Sequence, residues 1–280
     1  MPRLMVLLAA VCFGTTGTAQ ALGPDGLAPT GVGAARILVG GALLVVIGGA
    51  AIHRLPRRAL LIAAAAVASY QLSFFAAVAD TGVAVGTIVA IGSGPALAGA
   101  LEWAVDGRSQ TLAWAAATAL ACAGVATLAL AGTDATISLP GVGLALVAGA
   151  SYATYTLAAK RMLAADHAPE TVMAGAFGLG AVFLLPVLVF NHEVITQPGG
   201  LALALFLGIV PTALAYVLFA RGLKRLSAAE TATLTLAEPL TATVLGVVVL
   251  GEQFSALGAG LILAGLLVLA APEIRATVPA

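Results

Sequence analysis

Charge is scarce in this chain. Asp, Glu, Lys and Arg make up 9% of its 280 residues against 61% apolar ones, and the mean hydropathy is +1.10. A soluble fold keeps one face of each surface helix in water with charged and polar side chains, and there is no such face here to supply it. Cysteine is equally thin. Cys12 and Cys122 both sit in apolar stretches, where a free thiol behaves as a small apolar group. Two such residues make neither a disulfide framework nor a metal-ligand pattern. His53, His167 and His192 stand alone in separate polar segments. The motifs H-E-x-x-H, G-x-S-x-G and G-x-x-x-x-G-K-[ST] do not occur. Intramembrane hydrolysis and an ATP-driven pump are therefore excluded as readings, and no cofactor, metal or nucleic-acid partner is expected.

What the chain does have is apolar length. Apolar stretches fall at about 4–22, 30–52, 59–79, 82–101, 110–132, 139–159, 171–190, 199–220, 231–250 and 254–272. A helix rises about 1.5 Å per residue, so roughly 20 apolar residues cross a hydrocarbon layer of about 30 Å. Of the 24 charged residues, only Arg36 and Glu238 fall inside these stretches. The spacing predicts an all-α polytopic membrane protein of ten transmembrane helices, with the bilayer as its first partner. The first stretch, with Arg3 ahead of it and Ala19-Gln20-Ala21 behind, has the look of a secretory signal. Cleavage would put the next loop on the wrong side of the charge pattern, so an uncleaved first helix is expected.

The positive residues set an orientation. With the N-terminus inside, Arg3, Arg54, Arg57, Arg58, Arg108, Lys160, Arg161, Arg221, Lys224, Arg225 and Arg275 all face the cytoplasm, 11 of the 12 Lys and Arg. The opposite loops, including 23–29, 133–138 and 191–198, carry none. The expected topology is N-in and C-in.

The chain also repeats itself. Ile91-Gly92-Ser93-Gly94-Pro95 in the fourth stretch aligns with Leu236-Ala237-Glu238-Pro239 in the ninth at an offset of 144. Phe75-Ala76 and Phe219-Ala220 pair at the same offset, and Cys12-Phe13-Gly14-Thr15 aligns with Ser151-Tyr152-Ala153-Thr154 at 139. Two five-helix units, 1–135 and 136–280, follow one another. Five is odd, so the second enters from the opposite side, and such inverted repeats are a common basis of alternating access in secondary transporters.

On these residues the chain resembles the EamA-type drug/metabolite transporters. The resemblance rests on the five-plus-five arrangement and the proline in each fourth helix of a repeat. It rests also on Glu238-Pro239 followed by Gly251-Glu252, on the glycine-rich last helix with Gly258, Gly260 and Gly265, and on Arg36 in the second helix. Asp106-Gly107-Arg108 stands where the first repeat would have its Gly-Glu pair. Within the family the chain looks most like ten-helix bacterial exporters of amino acids and related metabolites. The resemblance implies a multi-pass carrier of the bacterial inner membrane, a monomer or weak homodimer. It also implies a central cavity lined mainly by helices 1, 3, 4, 6, 8 and 9.

Polar and aromatic residues concentrate on some of those helices. All four tyrosines, Tyr70, Tyr152, Tyr155 and Tyr216, lie in stretches 3, 6 and 8. Together with Thr15, Gln71, Ser93 and Glu238 they are the candidate substrate contacts. Each has a plainer reading. A membrane Ser or Thr often bonds to the carbonyl one turn back. Tyr155, Tyr216, Trp103 and Trp114 lie toward helix ends, where an interfacial aromatic belt accounts for them. Arg36 lies near enough to the outer surface to snorkel, as a structural charge bonded to carbonyls or loop residues. Pro95 and Pro239 are candidate hinges, since proline removes one backbone donor and crowds the preceding turn. Helices 5 and 10 are nearly all Ala, Gly, Leu and Val and should pack at the periphery through an Ala256-x3-Gly260-x3-Ala264 seam. Small zwitterions or amphipathic solutes suit such a path better than polyanions. A secondary carrier is the leading function, and a channel-like facilitator remains the alternative.

The topology is directly testable. Reporter or cysteine tags at Asp25, Asp134 and Glu193 should be reached from outside, and tags at Arg57, Asp166 and Arg225 from inside. A single tag on the wrong side breaks the ten-helix arrangement.

Overall fold

The fold is drawn from a computed structural model and is described for residues 1–130, 138–251 and 255–270. Among these residues every regular element is helical. Eight helices are long and apolar enough to cross a membrane: α1 (Pro2–Ala21), α2 (Pro29–Arg54), α3 (Arg57–Gly82), α4 (Val85–Asp106), α6 (Leu139–Ala164), α7 (Pro169–Phe190), α8 (Pro198–Leu223) and α9 (Ala228–Leu250). The described residues also include two shorter apolar helices, α5 (Leu112–Leu130) and α10 (Ala256–Ala270), and a single helical turn at Glu193–Thr196. The expected ends of the fifth and tenth stretches, the boundary at 135, Asp134 and Glu252 lie outside the described residues.

Proline punctuates the chain in the way its chemistry requires. Pro2, Pro29, Pro140, Pro169 and Pro198 each occupy the first turn of a helix, where the missing N–H would have no partner anyway. The α3–α4 junction is made by one residue. Gly82 adopts φ 80°, ψ 159°, a conformation open in practice to glycine alone, and this breaks an otherwise continuous helical run.

Most helices run past their apolar stretches. Helix α6 extends to Ala164, beyond Lys160 and Arg161, and α4 extends to Asp106, beyond Glu102. The charged ends are tolerated because each finds a partner. Lys160 donates from Nζ to the carbonyls of Leu223 and Lys224 at 2.9 and 3.3 Å. Arg161 pairs with Asp106, Arg3 with Glu230, Arg221 with Glu170 and Lys224 with Asp166, at 2.6 to 2.8 Å. The hydrogen bond and charge of Lys224 hold the Asp166 carboxyl below its usual range. All these contacts join helix ends that meet on one side of the bundle, the side rich in Lys and Arg. At the other side Ser138 bonds to Asp80 and to Thr81, tying the start of α6 to the end of α3.

Glu102 is the buried charge that composition alone does not reveal. It is 1% exposed, and its carboxylate accepts hydrogen bonds from the backbone N–H groups of Ala228 and Ala229 at 2.8 and 3.2 Å. Gln110 donates to the same group at 3.2 Å. An anion thus sits on the first turn of α9, where free N–H groups and the helix dipole favour it.

Helices close on one another through small residues. Helix α6 packs along α3 and α4, α2 along α7, α1 along α8 and α9, and α5 along α10. A Cβ added at Gly14 of α1 would lie 2.7 Å from the carbonyl oxygen of Glu238, so α1 and α9 meet backbone to backbone there. The α5–α10 seam differs from the sequence expectation. Gly258 and Gly265 are pressed against Leu128, Ala117 and Ala121, whereas Gly260 faces open space. Seven residues separate the two buried glycines, two helical turns, so they share a face that the Ala256–Gly260–Ala264 row does not occupy. Outside, the bundle is apolar: Val46, Leu112, Leu139 and Phe190 are among its most exposed side chains, as a surface facing lipid requires.

Glu102→Ala leaves two buried N–H donors without partners, which should cost about 1–3 kcal/mol. The melting temperature of the purified protein in detergent should fall clearly for Glu102→Ala and less for Glu102→Gln. Equal melting of wild type and Glu102→Ala would show that the cap contributes nothing.

Candidate functional site

The chain's four tyrosines converge. Tyr70 of α3 stacks on Phe74 at 5.7 Å and approaches Tyr152 of α6 at 6.4 Å. Tyr152 neighbours Tyr155 at 6.3 Å, and Tyr155 meets Tyr216 of α8 edge to face at 5.9 Å. Phe177 of α7 lies 4.1 Å from Tyr216, and Phe13 of α1 lies 4.9 Å from it. Edge-to-face and offset contacts at these spacings add about 0.5–1.5 kcal/mol per pair beyond area burial. Five helices thereby fix a rigid aromatic wall.

Beside the wall lies a small, partly open cavity. Arg36 and Ile37 of α2, Tyr70 and Gln71 of α3, Ser151, Tyr152 and Tyr155 of α6, Phe177 and Tyr216 line it, with Ala66 and Val67 beneath. The helices differ in part from those implied by the family resemblance. Helices α2 and α7 contribute directly, while α1, α4 and α9 place no side chain in the lining. On α4 the residue that meets Tyr152 is Gly94, which has no side chain to contribute.

Hydrogen bonds pin several of the lining residues. Ser151 and Ser69 share a bond of 2.9 Å between hydroxyls, joining α6 to α3. The Tyr152 hydroxyl lies 3.1 Å from that of Thr235 on α9, and Tyr155 donates to the sulfur of Met173 at 3.5 Å. Gln71, 3% exposed, donates from Nε2 to the carbonyl of Gly33 at 3.0 Å. Its Oε1 accepts from Arg36 Nη2 at 3.2 Å.

The other candidates are placed as follows. Thr15 donates to the carbonyl of Cys12 at 2.7 Å and Ser93 to that of Ala90 at 3.4 Å, the local bonding expected of membrane hydroxyls. Neither lines the cavity. Glu238 does not line it either, but its carboxyl is close enough to Arg36, Tyr70, Tyr152 and Tyr216 to interact with them electrostatically.

Several expectations are corrected. Tyr155 is 3% exposed and Tyr216 packs inside the aromatic wall, so neither is a belt residue. Trp103, 65% exposed, fits a belt, but Trp114 lays its ring against Gly99 and buries its indole N–H. Arg36 does not snorkel to a loop; its guanidinium donates to Gln71 on α3. The prolines differ as well. Ahead of Pro239, α9 tightens to a 3₁₀ turn over Thr235–Ala237 and restarts as α-helix at Glu238. Through Pro95 the helix keeps helical dihedrals. Phe177 was missed, although one large ring among the small residues Ala174, Gly175, Ala176 and Gly178 was a readable signal.

An apolar bundle of membrane-length helices around a small, partly polar internal cavity defines a multi-pass membrane protein. The sequence pattern of the EamA-like transporter family matches residues 2–130 and again 139–271. The chain belongs to that family. It is 43% identical over 286 residues to the uncharacterized transporter YwfM of Bacillus subtilis, covering 99% of this chain and 96% of that protein. A probable terminal-alkyne amino-acid exporter of Streptantibioticus cattleyicolor is 30% identical over 88% of this chain and 84% of its own length. The threonine/homoserine exporter RhtA of Escherichia coli K12 is 36% identical over 44% of this chain and 43% of its own. A solved crystal structure shares the fold with a TM-score of 0.81 at 21% identity, over 95% of each chain.

If the aromatic wall carries packing as well as shape, truncating Tyr155 must leave a hole. Tyr155→Ala should cost about 3–5 kcal/mol, by analogy with aromatic truncation in cores. Tyr155→Phe removes only a weak sulfur contact and should cost less than about 1 kcal/mol. Thermal melting in detergent reads both, and a Tyr155→Ala protein as stable as wild type would remove the ring from the core.

Proposed function

We propose that this protein is a secondary carrier that exports small metabolites, neutral amino acids foremost, across the bacterial inner membrane by alternating access. The observation that carries the reading is the aromatic cavity. Its walls come from both halves of the chain, and its polar groups are few and convergent. The names of the amino-acid exporters to which the chain is similar support the same substrate class.

Two inverted five-helix repeats, 1–135 and 136–280, supply the moving parts. Helix α1 packs on α9 at Gly14, and α6 packs on α4, where a Cβ on Gly149 would collide with Ser93. The first helix of each repeat therefore lies against the fourth helix of the other. The 3₁₀ turn before Pro239 is the natural pivot on one side, and Gly92-Ser93-Gly94-Pro95 is its counterpart. Ion pairs Arg3–Glu230 and Arg161–Asp106 join the halves at the Lys- and Arg-rich end and would have to part for that end to open.

Tyr70, Gln71, Tyr152, Tyr155 and Tyr216 form the substrate surface. Glu238 supplies the negative pole for a substrate ammonium or a coupled proton. Thr15 and Ser93 join the path only if the helices rearrange.

Counterflow in proteoliposomes tests the mechanism. Unlabelled amino acid inside should accelerate uptake of the labelled one, which a channel-like facilitator would not show. Glu238→Gln keeps shape and hydrogen bonding while removing the charge. It should slow transport at least about tenfold, roughly the loss of one modest charge contact. A full rate with unchanged pH dependence would confine Glu238 to packing.

A further inference from the structure

The most unusual group in the cavity is Arg36. A guanidinium carries five N–H donors and no acceptor. Here one donor, on Nη2, is used by Gln71, and the buried Nε has no partner. No carboxylate among the described residues lies within ion-pair distance of Arg36. Every other cation that these helices bury or half-bury is paired: Lys160 is held by two carbonyls, and the ion-paired Arg and Lys lie at the helix ends. Arg36 is half-buried with its Nε fully buried, and leaving such a charge short of partners within the membrane is costly, so its retention calls for a partner that comes and goes.

The surroundings tell what that partner would be. Gln71 is itself fixed by its bond to Gly33, so its Oε1 holds the guanidinium in one orientation with donors left over. Arg36 is one of the residues that line the cavity. A guanidinium matches a carboxylate in charge and in its two-pronged geometry. Ile37, Val67, Phe177 and Tyr216 offer the rest of a solute an apolar and aromatic surface. Glu238, outside the lining, is close enough to Arg36, Tyr70 and Tyr216 to interact with them electrostatically.

We propose that Arg36 receives the carboxylate of the transported solute, with Gln71 as its positioning residue, so that the site selects free α-amino acids over their uncharged-carboxyl derivatives. This deepens the amino-acid reading above and rests on it.

The test compares each common L-amino acid with its α-carboxamide. The amide keeps side chain and ammonium but loses the negative charge. Binding to the purified full-length protein is read by ligand-dependent thermal stabilisation, and transport by counterflow in proteoliposomes. For every amino acid that binds the wild-type protein, the amide should bind at least about tenfold more weakly, as expected when a buried charged partner is removed. Arg36→Gln should abolish this preference, Arg36→Lys should reduce it, and Gln71→Leu should lower the acid-to-amide ratio. A merely structural Arg36 would instead lower folded yield and unliganded melting temperature with the acid-to-amide ratio intact.

Amides binding the wild type as tightly as acids, or Arg36→Gln retaining the full preference, would overturn the proposal. If Arg36→Gln does not fold, an unchanged ratio in both Arg36→Lys and Gln71→Leu overturns it. Those results leave amino-acid export standing when counterflow persists. Counterflow absent for every amino acid removes the export reading, and the carboxylate site with it.

Discussion

Hydrocarbon gives a polypeptide nothing to hydrogen-bond with. Every backbone group in the layer must be satisfied within the protein, and every charge must be expelled, paired or put to use. Most features of this bundle follow from that constraint. The backbone closes its bonds in helices, proline is kept largely to first turns, and the break at Gly82 falls between two helices. Charge is driven to the helix ends, where Arg161–Asp106, Arg221–Glu170 and the Glu102 cap on α9 join neighbouring elements. The same charges that mark the helix ends also bind them together.

Association between the helices needs a different source of energy, since lipid is as apolar as leucine. Close approach through Gly and Ala supplies dispersion contacts instead. The chain's 33 glycines make such contacts possible, at Gly14 against α9 and at Gly258 and Gly265 against α5. Tight packing of small residues leaves little room inside. The space that exists lies beside the aromatic wall, where Arg36 and Gln71 give it polarity.

The helices were legible in the sequence because apolar length is a strong signal, and their prolonged ends were not, because Lys160 and Glu102 look like loop residues until their partners are known. The convergence of tyrosines was half legible. Tyr70 beside Gln71 pointed inward, but Tyr155 and Tyr216 resembled belt residues because position along a helix says little about which neighbour covers it. Arg36 showed the limit most clearly. Its depth suggested snorkelling, and only the placement of Gln71 and Gly33 turns its guanidinium toward the cavity. The α5–α10 seam was legible in the seven-residue spacing of Gly258 and Gly265, which a four-residue small-residue row does not capture.

The central claim is that the cavity between the two halves opens to each side of the membrane in turn. The direct measurement is the accessibility of a single cysteine at Ala66, a lining position, in a protein with Cys12 and Cys122 replaced by serine. A membrane-impermeant thiol reagent is applied from the outside of intact cells and from the cytoplasmic face of inverted vesicles. The account predicts labelling from both faces, with bound amino acid shifting the balance between them. Labelling confined to one face under every condition, or equal from both and indifferent to amino acid, would contradict it.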